Sequence, residues 1–177
     1  MRRIAVACCA AAAVSVGAAE RPVNYVAGAL VELNDNGAWS WFMDERAIGH
    51  EGKLIVGSVR AVGNFRNNAD PEWGNVEIAV YDVATGAARR VVLHRHYEQD
   101  DHDGPALLPP PDGRLLAMYT KHGMECRVYW RFSEPHDPLT WGPASEMVTP
   151  GREEGMRTGD TVTYSNLFRF SSGRIYN

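Results

Sequence analysis

Cysteine is nearly absent from the part of the chain that folds. The sequence holds three cysteines in 177 residues. Cys8 and Cys9 fall in an N-terminal targeting segment, which leaves Cys126. One thiol forms no intrachain disulfide, so a disulfide-stapled secreted domain is excluded and stability must come from a packed core. Helical periodicity is missing as well: beyond the leader no stretch repeats apolar residues at the spacing of an amphipathic helix. No apolar run reaches the roughly 20 residues needed to cross a bilayer. Basic charge is in deficit, with 18 Lys and Arg against 22 Asp and Glu. Without Arg2 and Arg3 the balance is 16 against 22, a net charge of −6. That argues against nucleic acid or an anionic membrane as the main partner. An anionic ligand would need a local basic pocket.

The chain opens on an export signal. Arg2 and Arg3 form a basic start, Ile4 to Val16 a small and apolar run, and Gly17-Ala18-Ala19 a site for cleavage. A signal peptide over residues 1–19 is the expectation, with the mature chain beginning near Glu20 and residing outside the cytoplasm, secreted or periplasmic, by bacterial export.

After the leader, short β-rich runs alternate with Gly, Pro, Asn and Asp, the pattern of an all-β sandwich, barrel or propeller. A repeat decides among them. Ala47 to Gly57, Ala106 to Met118 and Leu167 to Tyr176 each read as an apolar strand, a glycine turn, a basic residue and a second strand. The turn glycines Gly52, Gly113 and Gly173 lie 61 and 60 residues apart. Each unit is filled out by a second hairpin. In the first, Asn75–Asp82 runs through Ala84 to Gly86 into Ala88–Leu93. In the second, Arg127–Ser133 turns through Glu134 to Thr140 and continues from Trp141. Ser133 to Trp141 looks like a degenerate Asp-box. Four strands per radial repeat make a propeller blade. The expected fold is therefore all-β, a β-propeller, with residues 20–177 its N-terminal part: two four-stranded blades and the first hairpin of a third. The alternative is a small open β-sheet domain.

Two histidines carry the functional signal. His102 and His122 sit symmetrically about the Asp112-Gly113 turn, a strong hairpin signal. A turn centred on Asp112 pairs positions whose numbers sum to 224, and these two do. Directly opposed residues share a face. A slip of one residue would separate the faces and leave two ordinary surface histidines. In a propeller one end collects the loops entering each inner strand and the loops joining second and third strands. Asp44 to Arg46, Asp100 to Asp103, Tyr164 to Asn166 and His122 all fall on that end, and convergence of polar groups is what a site requires.

At these residues the chain resembles a family. Trp39 to Arg46, Gln99 to Ala106, Lys121-His122-Gly123 and Thr163 to Asn166 are similar to the BNR-repeat propellers of the ulvan lyases, which have seven blades. Related propellers act as rhamnosidases on rhamnosyl-glucuronate. The resemblance implies that His102, His122 and Tyr164 serve uronate elimination. An arginine that joins them in the family would fall a few residues beyond Asn177. Elimination removes the C5 proton beside a carboxylate and expels the C4 oxygen. A neutral histidine suits the first task near pH 7, and a tyrosine hydroxyl can donate to the leaving oxygen or act as a second base. Expected substrate contacts are Trp41 (by stacking on a sugar ring), Arg46, Asp103 and Asn166. The expected partner is an anionic polysaccharide; no cofactor and no metal are expected, because the His and Asp spacing matches no defined ligand set. Asp100, Asp101 and Asp103 serve either as loop-fixing groups or as a glycosidase carboxylate pair. Two further readings stay open: an α-L-rhamnosidase and a non-catalytic carbohydrate-binding propeller.

Overall fold

The computed structural model describes residues 30–44, 46–60, 70–149 and 161–177. The chain divides into two units, 1–31 and 32–177, and the account that follows concerns the second. The leader expected over residues 1–19 lies outside the described residues.

The described strands are all antiparallel. In the first sheet β1 (Gly37–Ala38) and β2 (Ala47–His50) both pair with β3 (Lys53–Arg60), followed by β4 (Val76–Asp82) and β5 (Ala87–His94). In the second, β6 (Ala106–Leu108), β7 (Leu116–Tyr119) and β8 (Arg127–Glu134) lie in order, and β9 (Asp137–Trp141) and β10 (Ser145–Val148) share the outer edge of β8. A third, two-stranded sheet joins β11 (Phe168–Arg169) to β12 (Ile175–Tyr176). Two successive propeller blades and the inner hairpin of a third are what the repeat predicts. The innermost position of the first sheet and the outermost position of the second are each divided between two short strands.

The repeated glycines do the same work in each unit. Gly52, Gly113 and Gly173 take φ of 75°, 81° and 82°, a region closed to most side chains and open to glycine. At Gly113 there is a second reason: a Cβ would sit 2.5 Å from the His136 ring. Asp112 fixes the turn by accepting from the Arg114 N–H at 3.2 Å, and the β6–β7 ladder pairs Ala106 with Met118, Leu107 with Ala117 and Leu108 with Leu116. Every pair sums to 224, the register that the turn predicts.

That register sorts the side chains of the second blade. Leu107, Ala117 and Tyr119 face the first blade and pack with Ile55, Ile78, Val80 and Leu93. Ala106, Leu108 and Leu116 face the other way, against Leu167 at the start of the third unit. Period-2 alternation thus builds a core on each side of one sheet. Gly57 brings the first two blades close: a Cβ there would meet the Pro105 carbonyl oxygen at 2.7 Å. Trp130 and Trp141 pack partly buried against these cores, and Cys126 is fully buried.

The second hairpin of blade two is tighter than the sequence suggests. The turn is Pro135-His136 alone, and β9 already begins at Asp137. His136 takes φ of 60°, which allows so short a connection. The Asp137 carboxylate then accepts the Leu139 N–H at 2.9 Å, and the Trp141 indole donates to the Pro138 carbonyl at 2.8 Å.

Candidate functional site

The loops at one end of the blades form a single cluster. Asp100 caps a 3-10 turn, Asp101–Asp103, by accepting the His102 N–H at 3.0 Å. His122 lies in the loop between β7 and β8, where the Glu98 carboxylate holds its backbone N–H at 3.0 Å. Neither histidine is in a strand; β7 ends at Tyr119, before His122. Their rings nonetheless stack, with centroids 3.8 Å apart and planes inclined by 20°. One carboxylate organises both. Asp100 Oδ1 lies 2.5 Å from His102 Nδ1, and Asp100 Oδ2 lies 3.0 Å from His122 Nδ1. Asp101 adds a contact to His102 Nδ1 at 2.8 Å. Burial pushes the Asp100 carboxyl up, but the hydrogen bonds from the His102 backbone and from both imidazoles outweigh it and hold it below the usual carboxylate range.

Tyr164 completes the cluster, its ring centroid 4.9 Å from that of His102. It takes φ of 62°, a left-handed conformation that costs a bulky residue on the order of 1–3 kcal/mol and persists only where the surroundings impose it. The surroundings are firm on both sides. Val162 N–H donates to the Glu125 carbonyl at 3.2 Å, and Gly123 N–H to the Val162 carbonyl at 3.1 Å. Leu167 N–H donates to Asp44 Oδ2 at 2.8 Å. Aromatic residues continue outward from Tyr164. Phe42 meets it edge-on at 6.0 Å, and Trp41 meets Phe42 at 5.5 Å. Trp41 is 78% exposed.

Two expected substrate contacts are corrected. Arg46 is only 4% exposed. Its guanidinium donates to the Ser165 carbonyl at 2.5 Å and the Gly104 carbonyl at 3.1 Å, reaches Asn166 Oδ1 at 3.4 Å and pairs with Asp44. Burial lowers it to about 10, so it stays charged and joins the entry loops of all three units instead of meeting a ligand. Asp103 is fully buried with no donor on either oxygen. Burial, and then the neighbouring charges of Glu98 and Asp100, push it up to about 9. A neutral, inaccessible carboxyl does not bind sugar. Asn166 is half-buried, and its side-chain oxygen accepts the Asp44 N–H at 2.9 Å, so that atom too ties loops together.

Asp100, His102 and His122 are also the one group of metal-ligating side chains among the described residues, with ligand atoms within 4.8 Å of one another. Nearly parallel rings 3.8 Å apart keep their in-plane lone pairs in separate, nearly parallel planes, whereas chelation needs them to meet at one point. The arrangement suits a shared hydrogen-bond acceptor better than a cation. An apolar cavity of about 430 Å³ lies elsewhere, lined by Leu33, Trp39, Val56 and Ala79; neither histidine nor Tyr164 borders it.

Radially repeated four-stranded blades with a cluster of acid–base groups on their loop end define a repeat propeller. Residues 69–177 match the model of the BNR repeat-containing family, and the chain belongs to that family. Two solved structures of an ulvan lyase, of polysaccharide lyase family PL25, share the fold at a TM-score of 0.54. The one bound to -[GlcA(1-4)Rha3S]- is 17% identical and the other 18%, and each comparison covers 81% of this chain and 33% of that chain. The chain therefore spans about a third of the length of the solved structures it matches. No curated protein matches it in sequence.

Proposed function

We propose that this chain carries acid–base residues of an exported polysaccharide lyase that cleaves uronic-acid-containing, ulvan-like polysaccharide by β-elimination. The observation that carries the reading is the stacked His102–His122 pair with Tyr164 beside it. One imidazole takes the C5 proton. The electrons of the broken C5–H bond form the C4–C5 double bond, the C4–oxygen bond breaks, and the leaving oxygen takes the Tyr164 hydroxyl proton, which solvent restores. The other imidazole donates an Nε2–H to the uronate carboxylate and so stabilises the charge that gathers there. Trp41 and Phe42 carry the adjoining sugar. The solved ulvan lyase with a glucuronate-containing ligand supports the substrate class.

The disposition of carboxylates favours elimination over hydrolysis. A glycosidase needs two carboxyl groups flanking the scissile bond. Among the described residues around the pair, Asp100 is held by both histidines, Asp103 is fully buried, and Asp101, the one half-exposed carboxylate of the three, contacts His102 Nδ1 at 2.8 Å. The test incubates the protein carrying this chain with ulvan. An ultraviolet absorbance rise from an unsaturated uronide supports the lyase. Release of free rhamnose instead marks an α-L-rhamnosidase, and binding with neither product marks a carbohydrate-binding propeller.

A further inference from the structure

Asp100 is the residue through which the two histidines act as one unit. Its carboxylate offers one oxygen to each imidazole, Oδ1 to His102 and Oδ2 to His122, at 2.5 and 3.0 Å. Both contacts are to Nδ1. An ionised carboxylate only accepts hydrogen bonds, so the hydrogen in each contact has to sit on the ring nitrogen. The Asp100 side chain is mostly shielded, at 17% exposure, against 43% for that of His122. Its position is set independently, because it also caps the 3-10 turn through the His102 N–H.

We propose that Asp100 is a positioning residue that locks His102 and His122 together in the form protonated at Nδ1, so that both present Nε2 as the working atom on the side away from Asp100. The partner of a ring nitrogen decides which nitrogen is left for chemistry. Here one carboxylate reaches both rings, and Asp101 adds a second at His102 Nδ1, 2.8 Å away. Because the rings are stacked and both Nδ1 atoms point at one carboxylate, both Nε2 atoms emerge in the same direction. A proton gained at either Nε2 leaves an imidazolium hydrogen-bonded to a carboxylate, which stabilises it. Asp101 places a second carboxylate at His102, whereas His122 has Asp100 alone. This assignment rests on the proposed acid–base role of the pair for its catalytic consequence, but the tautomer itself does not.

The experiment separates the two. In the protein carrying this chain, labelled with ¹⁵N-histidine, long-range proton–nitrogen correlation reads the protonated nitrogen of each ring directly. Both His102 and His122 should be protonated at Nδ1, the minority form of free neutral imidazole. In Asp100→Asn the amide oxygen still accepts the His102 N–H and Asp101 still holds His102 Nδ1, so His122, left facing the amide NH2, is the ring that should change to the Nε2-protonated form. Turnover on ulvan should fall about 10²–10⁴-fold with KM nearly unchanged. Wild-type rings protonated at Nε2, or tautomers unmoved by Asp100→Asn, would overturn the assignment. The wild-type spectrum decides even if the variant folds poorly. A wild-type protein with the expected tautomers and no action on any uronate polymer would overturn the lyase reading and leave the role of Asp100 in orienting the rings standing.

Discussion

Asp103 gives a sharp thermodynamic prediction, because it is a carboxyl with no exposure and no donor. The folded state keeps its proton up to about pH 9, whereas an unfolded chain releases it near the ordinary value of about 4. Across that window the folded state binds one proton more than the unfolded state, so stability falls as pH rises. One proton corresponds to about 1.4 kcal/mol per pH unit. Asp103→Asn keeps the shape and removes the titration. Ionisable groups away from Asp103 are common to both proteins and cancel in the comparison; Glu98, hydrogen-bonded to Asp103, shifts with it and is read as part of the same pair. The variant should therefore gain on the wild type steadily between pH 5 and 8. For a domain of 150–250 residues the gap between the two melting temperatures should move by about 3–6 °C per pH unit. Scanning calorimetry of both proteins at four pH values measures it. A gap that stays constant with pH would show that Asp103 is ionised in the folded protein, and the account of a neutral buried carboxyl beneath the histidines would be wrong.

Three further outcomes are expected. Tyr164→Phe should cut turnover on a uronate polymer about 10²–10⁴-fold at an unchanged melting temperature, while His136→Ala, in the turn at Gly113, should leave turnover intact; the reverse pattern would move the site to the other end of the blades. Arg46→Met should destabilise the protein by about 3–5 kcal/mol, since it leaves Asp44 without its buried partner; denaturant unfolding reads this, and a change below about 1 kcal/mol would return Arg46 to the surface. Trp41→Ala should raise KM roughly 2- to 12-fold, the value of one aromatic contact, with kcat and stability little altered.

The parts of this structure legible in the sequence are those set by short-range rules. The Asp112-Gly113 turn fixes the β6–β7 register within a few residues, and the evenly spaced turn glycines mark three units of one architecture. Convergence of the His102, His122 and Tyr164 loops follows from blade topology. What escaped is what burial decides. Arg46 and Asp103 read as solvent-facing because most charged residues are. Only the docking of three loops shows one neutralised by partners and the other by keeping a proton. The role of Asp100 escaped for a related reason: a run of three acidic residues around His102 gives no sign of which carboxylate reaches His122. Phe42 could have been found, as an aromatic beside Trp41 in a loop entering the site end.

Asp100 and His102 lie on the segment joining β5 of the first blade to β6 of the second, and His122 on the loop between β7 and β8, whereas Tyr164 arrives from the third unit. The stacked pair is thus set where the first two blades meet, on a segment tied to the first by the Tyr97 N–H to the Gly74 carbonyl, and Tyr164 is set by the angle of the third unit. The distance to Tyr164 and the direction of the aromatic platform depend on that angle, which the Arg46 contacts hold. A small rotation of the third unit against the second would carry the tyrosine away while the imidazoles stay stacked. The cluster has a fixed half and an adjustable half, and substitutions at the seam with the third unit can move Tyr164 without disturbing the histidines.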